Sequence, residues 1–191
     1  MYFIMRCDTP QDDAGGYASV EDGVRIDGVK SWRIGERITV PVPRPINLEL
    51  VPEGGYRGPP AEMFHGRLLL MSERLVEALR EAGVDNMDTY PAVLRNVETG
   101  ETHSYHAVNI IGLVSAANLA ESEATVHDDQ PLLDVSFESL ALDEGAAAGA
   151  LLFRLAENNN TIVIQERVRD HIRARGIDTL KFIEPKDWVH L

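Results

Sequence analysis

Two segments of the chain, 93 residues apart, share one pattern of apolar residues, charges and glycine. The segments are residues 67–90 and 160–183. Each begins with a short apolar stretch, continues with a helix-like stretch, and ends with a glycine and a second apolar stretch. Aligned without gaps, the segments have five identities: Glu73 with Glu166, Arg74 with Arg167, Arg80 with Arg173, Gly83 with Gly176, and Asp85 with Asp178. The pattern predicts two copies of a strand–helix–Gly–strand unit packed on shared sheet, too few for a solenoid. The alternative is that the two segments are similar only because strand–helix units that end in glycine generally share this pattern.

The helix of the first copy carries signals at both ends. Ser72 can accept a hydrogen bond from an unpaired N–H of the first turn. Glu73 stands where the positive end of the helix dipole favours an acid. Leu75 and Leu79 belong to an apolar stripe, and Gly83 supplies the positive φ that often follows a helix. We therefore predict a helix between Ser72 and Gly83.

The rest of the chain is predicted to be strands and loops. In the N-terminal region, residues 1–63, which is rich in strands and loops, the run 41–45 (PVPRP) cannot be helix or central strand, because proline fixes φ and lacks an N–H. Strands are expected at 2–6, 24–27, 37–40, 46–51, 92–97, 102–111, 132–142 and 151–155. Many short strands with two main helices predict an α+β fold with a largely antiparallel sheet. We expect a single domain over 1–191, whose core 64–185 contains both units.

Negative charge is concentrated in the middle of the chain. The sequence has 18 Lys plus Arg against 31 Asp plus Glu, a formal net charge of −13. Residues 96–153 contain no Lys or Arg but ten acids: Glu98, Glu101, Glu121, Glu123, Asp128, Asp129, Asp134, Glu138, Asp143 and Glu144. Where this base-free segment reaches the surface it should form a negative patch, which attracts a basic partner. The alternative is that the acidity only keeps the protein soluble.

Three further features favour a cytoplasmic protein. No stretch approaches the ~20 apolar residues of a membrane span, and the first residues lack the basic region of a signal peptide. The single cysteine, Cys7, allows no internal disulfide and suits a reducing compartment. Binding of a nucleic acid requires clustered Lys and Arg, which a chain of this charge is not expected to present. We therefore expect contact with neither membrane nor nucleic acid.

No motif with a specific catalytic spacing occurs in the sequence. The patterns GxxxxGK[ST], GxGxxG, GxSxG and HExxH are all missing. Cys7 fits a small buried thiol better than a nucleophile. We expect no enzyme activity, no cofactor and no metal. His127, Asp128 and Asp129 nevertheless offer three metal-capable side chains in a predicted loop, which leaves a metal-dependent hydrolase as an alternative.

Three stretches of the chain resemble a bacterial polymorphic-toxin immunity family called immunity protein eleven, formerly a domain of unknown function. The first is 70–83, where Ser-Glu-Arg-Leu joins a strand to a helix closing on glycine. The second is 108–111, followed by 115–119 and the Glu-Ser-Glu corner at 121–123, and the third is 153–155 before 162–176. The resemblance covers residues 64–185. The chain departs from the family at Gln165, where a helix-capping serine is common, and glutamine caps poorly.

The resemblance implies a protein that is encoded beside a toxin and neutralises it by binding. It implies no catalytic residues. The expected partner is a cognate toxin, which the acidic segment predicts to be basic. The acids predicted to bind it are Glu121, Glu123, Asp128, Asp129, Asp134 and Glu138. A self-assembling adaptor or structural protein remains a further alternative, and the sequence leaves the oligomeric state open.

Overall fold

Both predicted helices are present in the computed structural model, which describes residues 1–21, 24–127 and 134–189. Helix α1 spans Glu73–Glu81 and helix α2 spans Glu166–Ala174. Ser72 Oγ accepts from Leu75 N at 3.1 Å, and Gly83 has a φ of 95°, as the sequence predicts. Neither helix, nor any other in the described ranges, is long and apolar enough to cross a membrane.

Thirteen strands occur in the described residues, so the α+β prediction is confirmed. They are β1 Tyr2–Cys7, β2 Tyr17–Val20, β3 Ile46–Glu53, β4 Met63–His65, β5 Leu69–Ser72, β6 Met87–Asn96, β7 Thr102–Ile110, β8 Leu113–Val114, β9 Glu123–His127, β10 Asp134–Ser139, β11 Leu152–Leu155, β12 Ile162–Gln165 and β13 Leu180–Ile183. One sheet has the order β13-β1-β12-β11-β8, a second β2-β3-β6-β7-β5-β4, and β9 and β10 pair alone. Most pairings are antiparallel; β3–β6 and β8–β11 are parallel.

The two predicted units have the same topology. In each, a helix connects two strands of one sheet that are separated by a third strand, antiparallel to both. In the first unit β7 lies between β5 and β6, and in the second β1 lies between β12 and β13. A further antiparallel strand, β4 or β11, flanks the strand that precedes the helix. The shared topology supports the interpretation of the two segments as copies of one unit. That the copies arose by duplication stays a prediction.

Buried apolar side chains form three clusters. The central cluster joins both helices to both large sheets, and Leu75, Leu79, Val168 and Ile172 are all fully buried in it. A second cluster covers the other face of the six-stranded sheet, where Trp32 packs edge-on against Tyr90. The third covers the other face of the five-stranded sheet and includes Val135 and Phe137 of β10. Each large sheet is therefore buried on both faces.

The prediction of strands at residues 24–27 and 37–40 is wrong. Both stretches are irregular, although Val24, Ile26 and Ile38 pack against the second cluster. Alternating apolar residues require only that one side of the chain be buried. Here an irregular segment covers a sheet face without pairing to a strand, and it produces the same alternation.

The different helix starts predict opposite responses to substitution. Ser72→Ala removes the cap of α1 and should lower the free energy of unfolding by about 1–2 kcal/mol. Gln165 makes no capping bond to α2, so Gln165→Ser should raise it by up to about 1 kcal/mol. Urea denaturation measures both changes. Gln165→Ala is the control for losing the glutamine, and a Gln165→Ser protein no more stable than this control would contradict the prediction.

Candidate functional site

Strands β9 and β10 form a two-stranded hairpin on the five-stranded sheet. All five residues of β9 are exposed, including the apolar Val126, which is 43% exposed. Among the described residues β9 pairs with β10 alone, so its other edge has no strand beside it. Such an edge offers unpaired backbone donors and acceptors to another chain. The hairpin is thus an exposed element with capacity for further contacts.

Strand β10 attaches this hairpin to the body of the protein. Val135 and Phe137 are fully buried in the third cluster, which also contains Phe153 and Leu155. Backbone contacts fix the register, since Val135 N donates to the Glu157 carbonyl at 3.0 Å. Alternation along β10 follows from this burial, because the two apolar side chains face the sheet and their neighbours face away. The carboxylates of β10 therefore lie on the outer face.

Four of the six acids predicted to bind a partner lie on or beside this hairpin. Glu121, Glu123 and Glu138 are exposed, and Asp134 is half-buried. None of the four forms an ion pair within the described ranges. We call these four residues, with β9 and β10, the acidic hairpin. The other two, Asp128 and Asp129, lie outside the described residues.

The remaining acids of the base-free segment are divided between separate places. Glu98 lies at the β6–β7 turn of the other large sheet, where Arg57 pairs with it. Glu144 contacts the amino group of Met1 at 3.4 Å. Burial, and then the negative charge of Glu144, raise the pKa of the nearby Tyr2 hydroxyl. The segment therefore contributes to more than one surface, and four of its acids outside ion pairs lie on or beside one exposed hairpin.

Of the three residues proposed as a metal site, only His127 lies in the described ranges. His127 lies opposite Asp134 in the hairpin, and its Nε2 is 3.0 Å from Ser136 Oγ. Asp128 and Asp129 fall outside the described residues. Within the ranges that the structure describes, no group of three His, Cys, Asp or Glu side chains could hold a metal.

Sequence reasoning missed one carboxylate, that of Glu157. It follows β11 by two residues, just beyond the base-free segment, and only 3% of the residue is exposed. Glu157 lines an open cavity of about 520 Å³ together with Asp143 and residues 115–119. A single acid after an apolar strand gives no signal of burial, because acids at such positions are usually solvated.

Two sheet-and-helix units of one topology, with an exposed acidic hairpin, define this α+β protein. The model of a family described as the Imm11 immunity protein family matches residues 5–187, so the chain belongs to this family. The family resemblance inferred from residues 64–185 is thus confirmed and extends over nearly the whole chain. The search of curated proteins found no match to the chain. The chain is therefore an immunity protein, a class whose partners are toxins.

Proposed function

We propose that this immunity protein is a cytoplasmic, non-catalytic inhibitor that binds a basic cognate toxin through the acidic hairpin. The observation that carries the proposal is the grouping of Glu121, Glu123, Asp134 and Glu138 on one exposed element without ion pairs in the described ranges. Carboxylates already paired within the chain would have little attraction left for a partner. These four remain available to it.

The charge of the acidic hairpin would act chiefly on the rate of encounter. A negative patch facing a positive one steers two proteins together and raises the association rate by about 10–1,000-fold at low salt. Apolar contact then holds the complex, since charges at the rim of an interface contribute little affinity. Val126 and the free edge of β9 are the nearest apolar and backbone groups that could supply this contact. Inhibition follows if the bound hairpin covers the toxin's working surface.

Association with the protein encoded beside this chain tests the proposal. A triple variant, Glu123→Gln, Asp134→Asn and Glu138→Gln, should associate at least about 10-fold more slowly than wild type at low salt. The difference should shrink at high salt, because salt screens exposed charges. Stopped-flow or surface-plasmon measurements at two ionic strengths give both rates.

A matched triple variant controls for net charge. Glu77, Asp85 and Asp178 are exposed acids without ion pairs in the described stretches of the chain, on other elements. Their replacement by Gln, Asn and Asn changes the charge by the same amount and should slow association much less. Equal slowing by the two triple variants would argue against the acidic hairpin, and no complex at either salt concentration would argue against inhibition by binding.

A further inference from the structure

The cavity beside Glu157 contains a buried carboxylate that the protein only half satisfies. Glu157 Oε1 accepts a hydrogen bond from Ser115 Oγ. Glu157 Oε2 is buried and has no hydrogen-bond partner within the described ranges. No Lys or Arg of those ranges pairs with the Glu157 carboxylate. A buried charge normally has a counterion and a full set of hydrogen bonds, so this group lacks a partner that a ligand could supply.

A second carboxylate lines the same cavity. Asp143 Oδ1 accepts from the backbone N–H groups of Gly145 and Ala146, at 2.9 and 3.1 Å. These bonds hold the side chain in place, and the residue is exposed. The described residues that line the cavity include no Lys or Arg. The cavity is therefore acidic and has no cation of its own among them.

The remaining walls fit the carbon chain of a basic residue. Ala116, Ala117 and Ala146 contribute small apolar surface, and Leu119, 40% exposed, adds a larger apolar side chain. Long basic side chains bury their methylene groups along such surface while their charged end finds polar partners. The cavity thus combines apolar walls with carboxylates, as a pocket for one basic side chain requires.

We propose that this cavity receives an arginine side chain of the toxin, with Glu157 as the carboxylate that recognises it. The inference rests on the proposed function, because it assigns a contact to the same partner. Arginine is favoured over lysine because its planar guanidinium carries five donors in fixed directions and can serve two carboxylates at once. Its donors would supply the partner that the Glu157 carboxylate lacks, and the exposed Asp143 carboxylate would share its charge.

A small probe tests the cavity without the toxin. Nα-acetyl-arginine amide is titrated into the full ¹⁵N-labelled chain, and the amide signals of residues 115–119 are followed by NMR. We expect saturable shifts there that Glu157→Gln abolishes. Glu77→Gln, which removes an exposed charge of α1 outside the cavity, should leave the shifts unchanged. Absence of saturable shifts, or equal binding of Nα-acetyl-lysine amide, would overturn the assignment to arginine.

A second arm uses the protein encoded beside this chain. Glu157→Gln should weaken its binding at least about 10-fold, the effect expected for one partner of a buried charge pair, and Glu77→Gln, on α1, should weaken it less. If Glu157→Gln disturbs folding, Asp143→Asn keeps the Oδ1 acceptor that Gly145 and Ala146 use, and it should still weaken binding. Toxin binding unaffected by either cavity variant would remove this inference and leave the proposed function standing. Saturable probe shifts in a protein that shows no toxin binding would instead overturn the proposed function, and with it the assignment of the arginine to the toxin.

Discussion

Phe137→Ala should lower the free energy of unfolding by about 3–5 kcal/mol, the usual cost of removing a buried aromatic ring. Phe137 is fully buried in the third cluster, with Phe153 and Leu155 of the five-stranded sheet among its members. No polar group is lost, so the cost comes from lost burial and from the cavity left behind. Urea denaturation of the two proteins measures it.

Without urea, where the Phe137→Ala variant is still folded, it should also bind the toxin more weakly than wild type does. Phe137 and Val135 are the two buried side chains of β10, so the acidic hairpin loses half of its apolar attachment. For the stability measurement, Val126→Ala is the control on the hairpin. Val126 is 43% exposed, so this substitution should change the free energy of unfolding by less than about 0.5 kcal/mol. A Phe137→Ala protein destabilised by under about 1 kcal/mol would show that the ring is not packed as described.

Gly35→Ala is expected to destabilise the protein by about 2–5 kcal/mol, from two separate causes. Gly35 has a φ of 71°, a conformation in which any Cβ is strained. An added Cβ would also lie 2.7 Å from the carbonyl carbon of Gly112, which is backbone and cannot rotate away. The Gly112 N–H donates to the Gly35 carbonyl at 2.8 Å, so the two segments are held close.

Gly55→Ala separates the two causes. Gly55 has a similar φ of 78°, but an added Cβ would meet nothing within 4 Å. Its substitution should cost only the backbone strain, about 1–2 kcal/mol. Thermal and urea denaturation of both variants give the comparison. Equal losses of stability would mean that Gly35 and Gly112 are not in close contact.

Local elements could be predicted from this sequence because their causes are local. The bounds of α1 follow from a capping hydroxyl at Ser72 and a positive φ at Gly83, both readable from residue type. The poor cap at Gln165 is predictable in the same way, and its side chain makes no capping bond. Strand partners could not be predicted, because β1 pairs with β12 and β13 at the far end of the sequence. Nothing within residues 1–7 specifies those partners.

The candidate site was predictable only to a degree, for the same reason. The lack of Lys and Arg over 96–153 identifies acids with no cation close in sequence. It cannot show that Arg57 reaches Glu98 from 41 residues away. Nor can it show that Glu157 is buried beside Asp143, since that depends on how the chain packs around the third cluster. Composition drew attention to the acids of the segment, whose role in binding stays a prediction, and tertiary contacts alone reveal the cavity.

The position of β1 in the middle of the second unit has a consequence for synthesis. This strand leaves the ribosome before β2 to β11, yet its two neighbours in the sheet, β12 and β13, are made after all of them. The first unit lacks this constraint, because β4 to β7 are consecutive in the chain. Nascent chains should therefore complete the first unit while β1, which is almost entirely apolar, waits exposed. This interval is where a chaperone would be of most use to the protein.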